Sequence, residues 1–313
     1  MKVSSLFIIG NGFDRAHGME TSYEDFQRYL KRKYPNTNDT ELIIPSGTQM
    51  PKGDVKYDDD DVVSFLMYLI SQAEEDGDNW SDLESSLGRL SFDECLYNSN
   101  PVVDKDGDYD NWKNMYIRQD VANDLVIPCL MIKKYFADWI NTIPLENIKP
   151  KEGFMKLIDK DNDLFFTFNY TETLEIIYKV KNVCHIHGKR GENLIFGHGN
   201  DNDYLEEYIS EHPGAEDSLI SIQEALRKNT EDALADNADF FDNIPRGLNK
   251  VYSFGFSFSE VDRIYIEELC KRVNTESVIW YLHSRSPGAR RSFESIIRKC
   301  GFKGQFNTFD IYD

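Results

Sequence analysis

Leu164-Phe165-Phe166-Thr167-Phe168-Asn169-Tyr170-Thr171-Glu172-Thr173-Leu174-Glu175 passes from a solid apolar run to a polar Asn and then to the start of an amphipathic helix. A short run rich in aromatic residues that ends this way reads as a buried strand whose carboxyl end meets a helix. Open α/β sheets place their chemistry at such ends. One break of the same kind precedes it, at Ile9-Gly10-Asn11-Gly12-Phe13-Asp14, and two follow, at His185-Ile186-His187-Gly188 and Ser253-Phe254-Gly255-Phe256-Ser257. Strand ends carrying Gly, Asn, His and Ser point to one shared site.

Working outward, strands are expected at Val3 to Ile9, Leu164 to Phe168, Asn182 to Ile186, Leu194 to Phe196, Val251 to Phe254, Val278 to Leu282 and Gln305 to Ile311, with helices mostly between them. That alternation predicts an α/β fold with a doubly wound, mostly parallel, Rossmann-like sheet. Thr21-Ser22-Tyr23-Glu24-Asp25 opens a helix whose inner face is Tyr23, Phe26, Leu30 and Tyr34. Ser286-Pro287 and Gly301 bracket a late helix.

Residues 35–60, with Pro35, Pro45, Pro51 and many acids, read as a long loop or a partly ordered insertion. From Val62 to Ile140 the apolar spacing is helical. Val62, Leu66, Leu69, Ile70 and Ala73 form one stripe and Ile132, Phe136, Trp139 and Ile140 another, with Pro128 starting or kinking the second helix. Trp80-Ser81-Asp82-Leu83-Glu84 opens a short helix, and Asp104 to Asp110 is a solvated linker. The division is therefore a core of residues 1–34 and 150–313 and a mainly helical insertion, 35–149, with acidic loops.

The formal charge of −20 opposes nonspecific binding to nucleic acid, which needs Lys and Arg to displace counterions. No apolar run approaches the ~18 residues that cross a membrane. The amino terminus reads as a first core strand rather than a signal peptide. The five scattered cysteines form neither a disulfide framework nor a zinc pattern. A cytoplasmic protein without membrane contact is expected.

Each strand end admits two readings. Gly10-Asn11-Gly12-Phe13-Asp14 is either a tight turn or a place where backbone N–H groups approach a pyrophosphate. Asn169 is either the N-cap of the following helix, with Glu172 in capping-box spacing, or a functional group. His185 and His187 alternate along a strand and so share a face. They either ligate a metal with His198 and Asp201, or one is a base near neutral pH while the other is structural. Ser259 and Asp262 stand in capping spacing, which leaves Gly255 and Ser257 unexplained.

Taken together, Phe7 to Asp14, Trp80 to Glu84, Phe168 to Glu175, His185 to Gly188 and Phe254 to Ser257 resemble the AbiH family of bacterial phage abortive-infection proteins. That family is distantly similar to the sirtuin-like NAD-binding domains of antiphage NAD hydrolases. The resemblance implies a sirtuin-like sheet, NAD as ligand or substrate, Asn169 and His187 in the catalytic Asn and His roles, and no metal. It further implies that Gly10, Asn11, Gly12, Phe13 and Asp14 border the pyrophosphate and nicotinamide ribose, and that Gly255, Phe256, Ser257 and Asp262 border the adenosine ribose. Glu84 would add negative charge near the cation that develops during cleavage. Thr171 stands where those enzymes carry Asp, and the zinc ribbon of protein deacylases is missing.

The expected function is that of an antiphage effector that binds NAD or a related nucleotide and hydrolyses its nicotinamide N-glycosidic bond. A phage-derived trigger and self-association are the expected partners. The alternatives are a metal-dependent phosphohydrolase or nuclease built on His185, His187 and His198, and a non-catalytic sensor of a nucleotide or a phage protein.

Overall fold

The structure, a computed structural model, describes residues 5–74, 80–98, 101–284 and 288–311. Six strands form one all-parallel sheet: β1 (Leu6–Ile9), β2 (Leu164–Thr167), β3 (Val183–His185), β4 (Lys250–Phe254), β5 (Ile279–His283) and β6 (Gln305–Phe309). Their spatial order is β3-β2-β1-β4-β5-β6, the doubly wound order, which reverses direction between β1 and β4. Because every strand is parallel, the carboxyl ends of β1 to β4 share one edge of the sheet.

The four residues of β1 are fully buried, and their alternation feeds both faces. Leu6 and Ile8 join Phe166, Phe168, Ile186, Val251 and Trp280 in one core, while Phe7 and Ile9 join Phe165, Phe154, Tyr252 and Phe254 in the other. Phe7 lies stacked between Phe165 (5.2 Å) and Tyr252 (4.8 Å). A strand buried on both faces has no polar side to show, which is why its sequence reads as an unbroken apolar run.

The chain divides into two compact units, each discontinuous in sequence. The first, residues 1–22, 140–195 and 229–313, holds the sheet; the second comprises residues 23–139 and 196–228. In the second unit the helix Tyr23–Lys33 buries Phe26 and Leu30, with Tyr34 buried just past its end and Tyr23 half-buried, and the helix Asp59–Ala73 is capped by Asp58, whose side chain accepts from the N–H groups of Asp60 and Asp61. The helix Asn111–Thr142 runs 32 residues with Pro128 inside it, so this proline neither starts nor ends the helix.

Several expectations change. Residues 35–60 contain a two-stranded antiparallel ribbon, Thr48–Gln49 with Val55–Lys56. Leu194–Phe196 is not a strand: the chain turns at Gly188 and Gly191, both at positive φ, and Ile195 bonds back to the His187 carbonyl (2.9 Å). The helix Arg290–Lys299 and Gly301 (φ 96°) stand where expected, whereas Val3, Ser286 and Pro287 lie outside the described residues.

At the reversal point the turns after β1 and β4 meet backbone to backbone. Gly10 N donates to Phe254 O (3.0 Å) and Gly12 N to Gly255 O (2.9 Å). Gly255 has φ 68°, and a Cβ there would stand 2.2 Å from Phe13 N and 2.5 Å from Gly12 C. The substitution Gly255→Ala should therefore add left-handed backbone strain to an unavoidable collision, a loss of about 2–5 kcal/mol in urea unfolding. Gly18→Ala serves as the control: its φ is also left-handed, 74°, but nothing lies within 4 Å, so only the conformational cost of about 1–2 kcal/mol is expected.

Candidate functional site

The carboxyl edge of the sheet begins with groups already committed to one another. The Gly10 and Gly12 N–H groups are donated to the turn after β4, so these glycines act as a backbone contact. The Asn11 side chain donates to Thr21 O (2.8 Å) and accepts from Thr21 Oγ1 (2.6 Å). Phe13 is fully buried among Phe154, Tyr178 and Phe254. Phe256 stacks on Phe168 at 4.1 Å, and Ser257 is exposed.

Asp14, on the short helix Asn11–Ala16 that follows β1, is 1% exposed. Thr171 Oγ1 donates to its Oδ2 and stands 3.0 Å from Thr173 Oγ1, while Asp14 Oδ1 has no partner. Burial pushes the carboxyl up to about 6, and the hydrogen bonds of Thr171, Thr173 and Asn169, with the charge of His185, restrain the rise.

Asn169 follows β2 and is 6% exposed. It does not cap a helix: the next one is Thr173–Ile177, with Glu172 at the N-cap position and no side-chain cap. The Asn169 backbone is held instead, N donating to Thr167 Oγ1 (3.1 Å) and O accepting from His185 Nδ1 (2.9 Å), while its Oδ1 is buried without a partner. Asp14 and Asn169 thus present two acceptor oxygens to which no group among the described residues donates.

The two histidines separate. The strand β3 ends at His185, and His187 lies in the following turn, so the period of two that would align them is broken. His185 Nε2 faces Glu175 Oε1 at 2.8 Å. A backbone carbonyl thus faces one ring nitrogen and a carboxylate the other. Burial works against ionised Glu175, but the hydrogen bond and charge of His185 hold its carboxyl below the usual range. His187 is 2% exposed and packs against Phe168 (5.4 Å), Tyr265 (5.5 Å) and Tyr170 (6.3 Å). Its Nε2 is 3.4 Å from Asp262 Oδ1, and Asp262 Oδ2 accepts from Ser259 Oγ (2.9 Å), so Ser259 and Asp262 bond to each other rather than capping the helix Arg263–Arg272.

The histidines that the metal reading would use are engaged by other groups. His198 belongs to the second unit, where Nε2 bonds Gln223 O (2.9 Å) and Nδ1 accepts from Asn200 N (3.1 Å), and burial lowers its basicity. Asp201 is exposed. With both ring nitrogens of His185 and of His198 engaged, neither offers a ligand, and among the described residues no group of three His, Cys, Asp or Glu is arranged to hold a metal. Glu84 is also in the second unit, bonded by Tyr23 Oη (2.9 Å) and by Lys228 Nζ (3.3 Å to each oxygen).

Sequence reading missed Thr173, Glu175 and Tyr265 as members of this cluster. The signal for the first two was present in Thr171-Glu172-Thr173-Leu174-Glu175, where polar residues alternate directly after a strand end. Tyr265 carried no signal, because only tertiary packing brings it to His187.

The buried Asp14 also yields a pH test. Its native carboxyl holds a proton that the unfolded chain, with a value near 3.8, has already lost between pH 4 and pH 6. Wild type should therefore lose about 2 kcal/mol of stability relative to the neutral isostere Asp14→Asn as pH rises through that window, measured by urea unfolding at pH 4 and pH 7.

Among the described residues no helix is long and apolar enough to cross a membrane. No curated protein and no solved structure matches the chain. Residues 6–283, which include all four strand ends of the site, match the family described as bacteriophage abortive infection AbiH, and the chain belongs to that family.

Proposed function

We propose that this AbiH protein serves abortive infection by binding NAD or a closely related nucleotide at the carboxyl edge of β1, β2 and β3, and by cleaving the nicotinamide N-glycosidic bond. One observation carries the reading. Asp14 Oδ1 and Asn169 Oδ1 are buried acceptors without donors, on residues coupled by hydrogen bonding, and leaving such atoms unpaired costs about 1–3 kcal/mol each. A ligand with vicinal hydroxyls, such as a ribose, supplies the missing donors.

Cleavage of that bond passes through an oxocarbenium-like state, which needs orientation and negative charge more than a strong nucleophile. In this reading Asn169 orients the ribose or the attacking water. Asp14, once ionised, places negative charge near the sugar. His187, walled by Phe168 and Tyr265 and steadied by Asp262, accepts the proton of a ribose hydroxyl or of the water. The sirtuin-like resemblance read from the strand ends points the same way.

A second reading, a nucleotide sensor without turnover, is favoured by Thr171. It stands where the NAD hydrolases carry Asp, and its hydroxyl is spent on Asp14.

Incubation of wild type, Asn169→Ala and His187→Ala with NAD, alone and with lysate of phage-infected cells, separates the two. Hydrolysis predicts nicotinamide release by wild type and a loss of roughly 10²-fold or more in each variant. Thermal stabilisation by NAD without nicotinamide release supports the sensor. Absence of both effects under every activating condition removes the nucleotide reading.

A further inference from the structure

Three elements of the sheet-bearing unit close on one imidazole. His185 is the last residue of β3, Asn169 follows the neighbouring strand β2, and Glu175 stands in the helix Thr173–Ile177 that joins the two strands. Parallel pairing sets Thr167 opposite His185, so the chain just past β2 runs beside the ring. His185 Nδ1 lies 2.9 Å from Asn169 O, and its Nε2 lies 2.8 Å from Glu175 Oε1. The His185 side chain is 7% exposed.

The ring nitrogen that faces the carbonyl must carry a proton, because a carbonyl oxygen only accepts. Glu175 at the other nitrogen fixes the plane of the ring, and the ring in turn fixes the carbonyl of Asn169. Asn169 N is tied at the same time to Thr167 Oγ1 (3.1 Å). With both of its peptide groups held, this residue cannot turn without breaking a hydrogen bond.

The same segment carries Thr171, whose hydroxyl donates to Asp14 and lies 3.0 Å from Thr173 Oγ1. Thr171, Thr173 and Asn169 are the donors around Asp14, with His185 as its charged neighbour, while the charged neighbours of Glu175 are His185 and Lys189. Displacing the segment would withdraw the donors on which an ionised Asp14 depends. Stability alone is a poor account of the pair: Glu175 Oε2 is buried with no hydrogen-bond partner among the described residues, and apolar side chains of similar volume would serve a core at least as well.

We propose that His185 and Glu175 form a positioning pair, in which Glu175 orients the ring and the ring holds the Asn169–Thr171 segment at the depth where its side chains meet Asp14. The geometric part stands on the contacts alone, and its consequence for turnover rests on the nucleotide reading.

The test follows the Asp14 carboxyl in the full chain without nucleotide. Its midpoint is read from the pH dependence of the stability change on Asp14→Asn, in the wild-type background and in Glu175→Leu, His185→Phe and Glu175→Gln backgrounds. The wild-type midpoint lies near pH 6; it should rise by about one unit in Glu175→Leu and His185→Phe, where the segment is released, and stay within about half a unit in Glu175→Gln, whose amide still bonds the ring. If His185→Phe fails to fold, Glu175→Leu carries the measurement, because the Glu175 side chain is 28% exposed. A pair that only stabilised the core would lower stability at every pH and leave the midpoint in place. With NAD, nicotinamide release in Glu175→Leu should fall about 10-fold or more in kcat, with KM within about twofold of wild type. An unmoved midpoint in Glu175→Leu overturns the proposal, as does an equal rise in Glu175→Gln, which would assign the effect to charge. Unchanged turnover in Glu175→Leu beside an active wild type overturns it as well. A wild type that neither binds nor cleaves NAD removes the nucleotide reading, and the midpoint then decides the role of the pair by itself.

Discussion

The backbone contact between the turn after β1 and the turn after β4 is the constraint on which the first unit depends. At Gly10, Gly12 and Gly255 the two chains approach so closely that a Cβ at any of them would fall within 2.7 Å of the facing backbone. The contact seals the sheet where its order reverses and fixes where the helix Asn11–Ala16 begins. That start in turn sets Asp14 below the turn, against Thr171. The pyrophosphate-binding role that glycine turns often have is thus not the one these N–H groups perform here. They hold strand ends together, and the open polar atoms lie one layer further in.

That inner layer is a polar network in an otherwise aromatic interior. Asp14, Thr171, Thr173, Asn169, His185 and Glu175 are linked by hydrogen bonds from one to the next, and most of their polar atoms are satisfied. The exceptions, Asp14 Oδ1, Asn169 Oδ1 and Glu175 Oε2, are therefore informative. A protein that merely needed a stable core would have lost less by placing apolar side chains there. His187 lies among Phe168, Tyr170 and Tyr265, with its Nε2 3.4 Å from Asp262 Oδ1. Asn169 lies between Phe168 and Tyr170 in sequence, so the same short segment serves both clusters.

The second unit is organised by a different device. The chain enters and leaves it at Tyr23, Trp139, Phe196 and Lys228. Tyr23 and Lys228 are both bonded to Glu84, and Phe196 stacks on Phe136 at 4.0 Å. Entry and exit segments are thereby fastened to one another inside the unit. With the Lys228 side chain only 2% exposed, Glu84 supplies the charge this ammonium requires, a structural duty for a residue in the motif Trp80 to Glu84.

Residues 194–196 were misread as a strand and the ribbon Thr48–Gln49 with Val55–Lys56 was not foreseen, but the six strands of the sheet, the parallel doubly wound class and the helical character of the middle of the chain were legible in sequence. They depend on local periodicity and on Gly, Asn and His at the ends of apolar runs, which are properties of neighbouring residues. Which of those residues meet was not legible. The parting of His185 from His187 follows from β3 ending at His185, two residues short of His187. The engagement of Asn169 with Asp14 rather than with a helix end depends on where the next helix starts. The presence of Tyr265 beside His187 depends on a helix that begins 76 residues later in the chain. Local pattern sets which way a side chain faces within its own element; only the folded sheet, by fixing strand order and the depth of each turn, decides which polar atom finds a partner and which is left waiting for one.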